Sequence, residues 1–117
     1  MIGTVKLGEK EVEMAANAAT PFIYKQLFKK DILVLMDKLQ VNGMTEETSD
    51  VFVELGFVMA KQAKTNDIKD LMNLKTEDFY TWLTEFEALD VVLASNEIAM
   101  IYNGQKESTS VPKSQGD

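Results

Sequence analysis

The chain has 117 residues, 45% of them apolar, a net charge of −7, and neither Cys nor His. The missing residues exclude disulfides, thiol nucleophiles, thiolate–imidazole zinc sites, imidazole bases and Ser–His–Asp triads. All twelve basic residues are Lys, and the acidic balance argues against nucleic acid or an anionic membrane as partner.

Residues 1–14 alternate in part. Val5 and Leu7 precede Gly8-Glu9-Lys10, and Val12 and Met14 follow, the pattern of a hairpin turning at Gly8. Two strands are marginal alone, so the hairpin is expected to lie on helices or pair with another chain. Its free edges invite a further strand. Deleting 1–14 is therefore expected to weaken self-association and leave the helices folded.

Thr20-Pro21 predicts a helix start, with Thr as N-cap and Pro at the first helical position. The helix is expected from Pro21 to about Leu39, burying Phe28, Ile32, Leu35 and Leu39, with Tyr24, Leu27 and Met36 widening the stripe. Lys25, Lys29 and Lys30 form a small basic patch, read as a solvated face in preference to a phosphate site. Asn42-Gly43 stops this helix, and Thr45 is expected to cap the next, with Glu46 and Glu47 in its first turn. From Val51 to Ala60 the sequence is apolar on nearly every side, with Glu54 the sole charge, which predicts a central buried helix. Gly56 within it predicts close approach of another backbone. Thr65-Asn66 ends it, and Asp67 to Leu74 reads as one or two helical turns with Ile68, Leu71 and Met72 inward.

Thr76 to Tyr102 holds the only Trp. Thr76 is expected as an N-cap, with Phe79, Trp82, Leu83, Phe86 and Leu89 as one buried helical face. A final helix buries Val91, Ala94, Ile98 and Ile101 or Tyr102, and Asn103-Gly104 closes it. The last thirteen residues, from Gln105, contain one apolar residue, too few to offset the entropy of ordering them. The expected architecture is mainly α: about five helices packed around one core, a short N-terminal β-hairpin, and a disordered C-terminal tail. Residues 1–104 form one helical domain and 105–117 a flexible polar tail.

No catalytic, cofactor or metal constellation is visible. The carboxylates cluster at helix starts, and neither a calcium-loop pattern nor a phosphate-cradling glycine loop is present. A non-enzymatic binding protein is expected. No segment is long enough to span a membrane and no signal peptide is evident, so a soluble cytoplasmic protein is expected. Seven Met are many for this length. Met adapts to varied surfaces, so Met36 and Met72 are candidate protein-binding residues, the alternative being gap-filling in the core.

The order of parts resembles the tail assembly chaperones of long-tailed, siphovirus-type phages and prophages of Gram-positive bacteria. The resemblance rests on the β segment, the Thr-Pro helix with Tyr24-Lys25 and Lys30-Asp31-Ile32-Leu33, Val58-Met59-Ala60, the Phe79/Trp82-Leu83/Phe86 helix, Ile98 to Tyr102, and the Ser/Lys tail. It implies a small, acidic, helical protein that self-associates. Such a protein binds the tape measure protein, keeps that client soluble during tail morphogenesis, and leaves before the virion matures. It implies no cofactor or active site. The alternative is an acidic phage-encoded inhibitor or adaptor binding a host protein.

In this family a longer product often arises by programmed frameshifting. Val111-Pro112-Lys113 permits a slippery heptamer, C-CCA-AAG or C-CCA-AAA, at the expected position. The frameshifted form would make the tail tube protein a further partner.

Overall fold

A computed structural model describes residues 2–104. The elements run β1 (Ile2–Leu7), β2 (Lys10–Ala15), α1 (Thr20–Phe28), α2 (Ile32–Asn42), α3 (Val51–Lys64), α4 (Ile68–Met72), α5 (Thr76–Leu83), α6 (Asp90–Leu93) and α7 (Ser95–Tyr102). The fold is mainly α with an N-terminal antiparallel hairpin, as the sequence predicts. Among the described residues seven helices stand where about five are expected, because two of the expected helices are each divided.

The hairpin pairs Ile2 with Ala15 through Leu7 with Lys10, and it turns at Gly8-Glu9. Gly8 has φ 68°, a conformation that costs Gly little. Gly3, Val5, Leu7 and Met14 are buried. β2 packs on α3, and β1 on α6 and α7. Removing 1–14 would open the core, so the hairpin is not the removable arm expected above.

α3 is the central element. Every residue from Val51 to Ala60 is buried, including Gly56 and Glu54. The approach at Gly56 is by side chains, not by the backbone expected from sequence. A Cβ there would lie 2.9 Å from Ile98 Cδ1 and 3.6 Å from Met14 Cε. α1, α5, α6 and α7 all contact α3. A row of aromatic rings crosses this junction: Phe28 meets Phe79 at 5.1 Å, Phe79 meets Phe57 at 5.5 Å, and Phe57 meets Trp82 at 5.6 Å.

The helix expected from Pro21 to Leu39 breaks at Lys29, whose φ of 60° and ψ of 32° are left-handed. Asp31 then caps α2, accepting the Leu33 and Val34 N–H groups at 2.9 and 3.4 Å. Inside the break, Lys30 lies 3.0 Å from the Glu54 carboxylate of α3. The same carboxylate accepts the Tyr24 hydroxyl at 2.5 Å. One charged residue of the buried helix is therefore satisfied by a phenol and an ammonium from the segment that wraps it, as a buried charge requires. Lys30 is a structural partner, while Lys25 and Lys29 remain exposed.

Three expected caps are misplaced. Thr20 is the first residue of α1, not its cap; its hydroxyl accepts the Asn17 N–H and donates to Gln62 Oε1 at 2.6 Å. Thr45 opens a turn that precedes α3, whose N-cap is Asp50. Buried Thr48 accepts the Thr45 N–H at 2.9 Å in that turn. Thr76 lies inside α5; Asp78 supplies the cap by accepting the Lys75 N–H at 2.9 Å. The competing group is the Gln62 amide at Thr20, the Thr48 hydroxyl at Thr45 and the Asp78 carboxylate at Thr76. Gly43 ends α2 with its N–H on Leu39 O, as expected.

Candidate functional site

An enclosed surface lies where β2 meets the end of α5. α5 stops at Leu83, and the Thr84 hydroxyl turns back to Thr81 O at 2.6 Å. Backbone bonds from Glu85 to Trp82 O and from Phe86 to Leu83 O continue as a turn. That turn lays Phe86 against Trp82, with ring centroids 5.0 Å apart. Lys10 of β2 reaches across, donating to Glu85 O at 2.9 Å while its ammonium stands 5.4 Å above the Phe86 ring. The hairpin and the α5 turn are thus clipped together by one side chain that uses both a carbonyl and an aromatic face.

Two openings flank this clip and share Lys10, Glu85 and Phe86. One, of about 450 Å³, runs over the hairpin turn past Leu7 and Gly8 to Asp90. The other, of about 280 Å³, has Val12, Ala60, Ala63 and Trp82 along its floor. Together they make a groove with an apolar and aromatic floor. Asp90 closes one end: its carboxylate accepts the Glu87 N–H at 2.9 Å and lies against Gly8, where any Cβ would collide with it.

α6 adds an apolar ridge. Val91 and Ala94 are buried as expected, but Leu89, Val92 and Leu93 are 60%, 50% and 77% exposed. Leu89 was expected on the buried face; α5 ends six residues earlier, so the helical period that would bury it does not continue. A second exposed apolar face lies on α2, at Leu33, Val34 and Val41. Ile68 of α4 is also exposed, not inward.

The candidate binding residues Met36 and Met72 are half-buried against the core. They stand on α2 and α4 and do not line the groove. Val111, Pro112 and Lys113 lie outside the described residues. Among the described residues, no cluster of three or more His, Cys, Asp or Glu is placed to hold a metal, and no helix is long and apolar enough to cross a membrane. Trp82 and Phe86 were legible as neighbours on one helical face, but the groove escaped sequence reasoning because Lys10 and Val12 lie roughly seventy residues away in the chain. The ridge did leave a signal: the run Leu89-Asp90-Val91-Val92-Leu93-Ala94 carries more apolar side chains than one stripe can bury.

Compared with known protein families, curated proteins and solved structures, the chain matches none of them.

Proposed function

We propose that this chain is a phage tail assembly chaperone that binds the tape measure protein and keeps it soluble while the tail is built. The observation that carries the reading is the exposed Leu89–Val92–Leu93 ridge beside a groove with an apolar floor. A long helical client exposes apolar stretches before assembly. A small partner that covers them needs an apolar face bordered by charge, so that the complex stays in solution. The family resemblance supplies the client's identity. Under this reading the protein works by binding, without catalysis or cofactor, in the bacterial host cytoplasm, and is absent from the mature virion. It self-associates, and a frameshifted longer form reaches the tail tube protein.

The test is co-expression with the tape measure protein of the same gene cluster. The soluble fraction of that protein should rise, and the two should co-purify through moderate salt, because apolar burial is not screened. Unchanged solubility with no co-purification overturns the reading.

A further inference from the structure

We propose that the groove between β2 and the α5 turn receives a basic amphipathic segment of the client. Apolar side chains of that segment would lie over Trp82 and Phe86, and its Lys or Arg side chains would face the rim. The inference rests on the client-binding reading above and narrows the client segment to one chemistry.

The rim decides the chemistry. Six acidic residues line the two openings, Glu9, Glu11, Glu13, Glu85, Glu87 and Asp90, against two basic ones, Lys10 and Lys64; Glu11 and Glu13 alternate with Val12 along β2 and so stand on the strand face away from it. Lys10 is already engaged by the Glu85 carbonyl and the Phe86 ring. Asp90 is engaged by the Glu87 N–H. Among the described residues the two ion pairs are Lys30–Glu54 and Lys38–Glu47, so no described Lys forms an ion pair with Glu9, Glu85, Glu87 or Asp90, while Glu11 stands opposite Lys6 in the hairpin. Like charges held around one groove repel each other and any acidic occupant, and a cationic occupant relieves that repulsion. The floor sets the second requirement. Phe86 and Val12 are only partly covered, and Ala63 leaves space beside Trp82. An occupant with apolar side chains along one face fills that space; a uniformly charged chain does not.

Trp82 is the only Trp in the chain, so its emission reports on the groove directly. The probes are a synthetic amphipathic Leu/Lys peptide of about 18 residues, about five helical turns, and a Leu/Glu peptide of the same pattern. Titrated into the full chain, the Leu/Lys peptide should shift Trp82 emission and bind at least about tenfold more tightly than the Leu/Glu peptide. Its affinity should fall between about 50 and 300 mM salt without vanishing, since only the charged part is screened. Glu85→Lys/Glu87→Lys should weaken binding at least about fivefold. Asp37→Lys/Glu97→Lys, which changes net charge equally at residues that do not line the groove, should leave it within about twofold. Circular dichroism of each variant confirms folding before titration. Equal binding of the two peptides, or equal effects of the two double variants, overturns the proposal. Tape measure solubilisation without peptide discrimination leaves the chaperone reading standing and removes this one. Peptide discrimination without solubilisation leaves the groove's preference for a basic amphipathic segment standing and removes the tape measure protein as the source of that segment.

Discussion

Individual side chains in this fold do two kinds of work, filling the aromatic row and satisfying the few buried polar groups. Trp82 is 6% exposed and packs between Phe57 and Phe86. Trp82→Ala should therefore cost roughly 3–5 kcal/mol, read from a denaturant melt followed by circular dichroism. A loss well below 1 kcal/mol would mean that the ring contributes to binding and not to the core. Tyr24 is fully buried, and its pKa is raised far above the ordinary value, first by burial, then by its hydrogen bond to Glu54 and the charges of Glu54 and Asp50. The folded state thus favours the neutral phenol. Its contribution is complete below the unfolded pKa near 10 and declines as pH rises beyond it. Tyr24→Phe should cost about 1–3 kcal/mol at neutral pH. The gap between wild type and variant should narrow above about pH 10. A constant gap from pH 7 to alkaline values would show that the hydroxyl is not held in this way.

At the scale of elements, the deciding event is the break between α1 and α2. A continuous helix would leave Glu54 without Lys30 and would carry α2 away from the core. The chain instead accepts a left-handed Lys29, a conformation costing roughly 1 kcal/mol for a residue with a Cβ. Asp31 offsets part of that cost by capping α2. Lys29→Gly should raise stability by about 0.5–1 kcal/mol, since Gly adopts this conformation without the Cβ penalty. Thermal melts of the two proteins would measure it. A destabilised variant would mean that the Lys29 side chain has a packing role, or that the break is imposed elsewhere. The hairpin and α6 show the same dependence on neighbours. Val5, Leu7 and Met14 seal α3 and its neighbours, and α6 is only four residues long, held by Val91 against the core.

For the whole molecule, the proposed client binding and self-association rest on the exposed apolar ridge and the negative surface. Leu93, 77% exposed, contributes little to folding, so Leu93→Asp should leave stability within about 0.5 kcal/mol of wild type. The same change places a charge on the ridge and should reduce tape measure solubilisation in co-expression, together with any concentration-dependent assembly seen by light scattering. Loss of stability without loss of either activity would remove the ridge from the binding surface. Assembly that persists in this variant would point to the hairpin edges.

Much of the fold was legible before any coordinates. The two-residue alternation around Gly8, the all-round apolar Val51–Ala60 helix and the Val91/Ala94/Ile98/Ile101 stripe all follow from local period and composition, because burial on one face imposes them along the chain. Helix boundaries were less legible. Thr20, Thr45 and Thr76 all carry capping propensity, yet none caps its helix: Thr20 is held by distant Gln62, Thr45 by the nearby Thr48 hydroxyl, and the cap at Thr76 is supplied by the Asp78 carboxylate. The break at Lys29 was hidden for a similar reason: its compensation comes from Glu54, 24 residues beyond Lys30. Of the groove, only the Trp82–Phe86 pair on one helical face was legible. Lys10, Ala60, Trp82 and Phe86 have no common period, and only the packing of the hairpin against α3 and α5 brings them together. Sequence alone determined which segments become helices or strands and which helix is central, because those choices rest on local propensity and amphipathic pattern. Tertiary structure alone decided where the helices break, which apolar side chains stay outside and which charges surround them, because those outcomes depend on contacts between residues far apart in the chain.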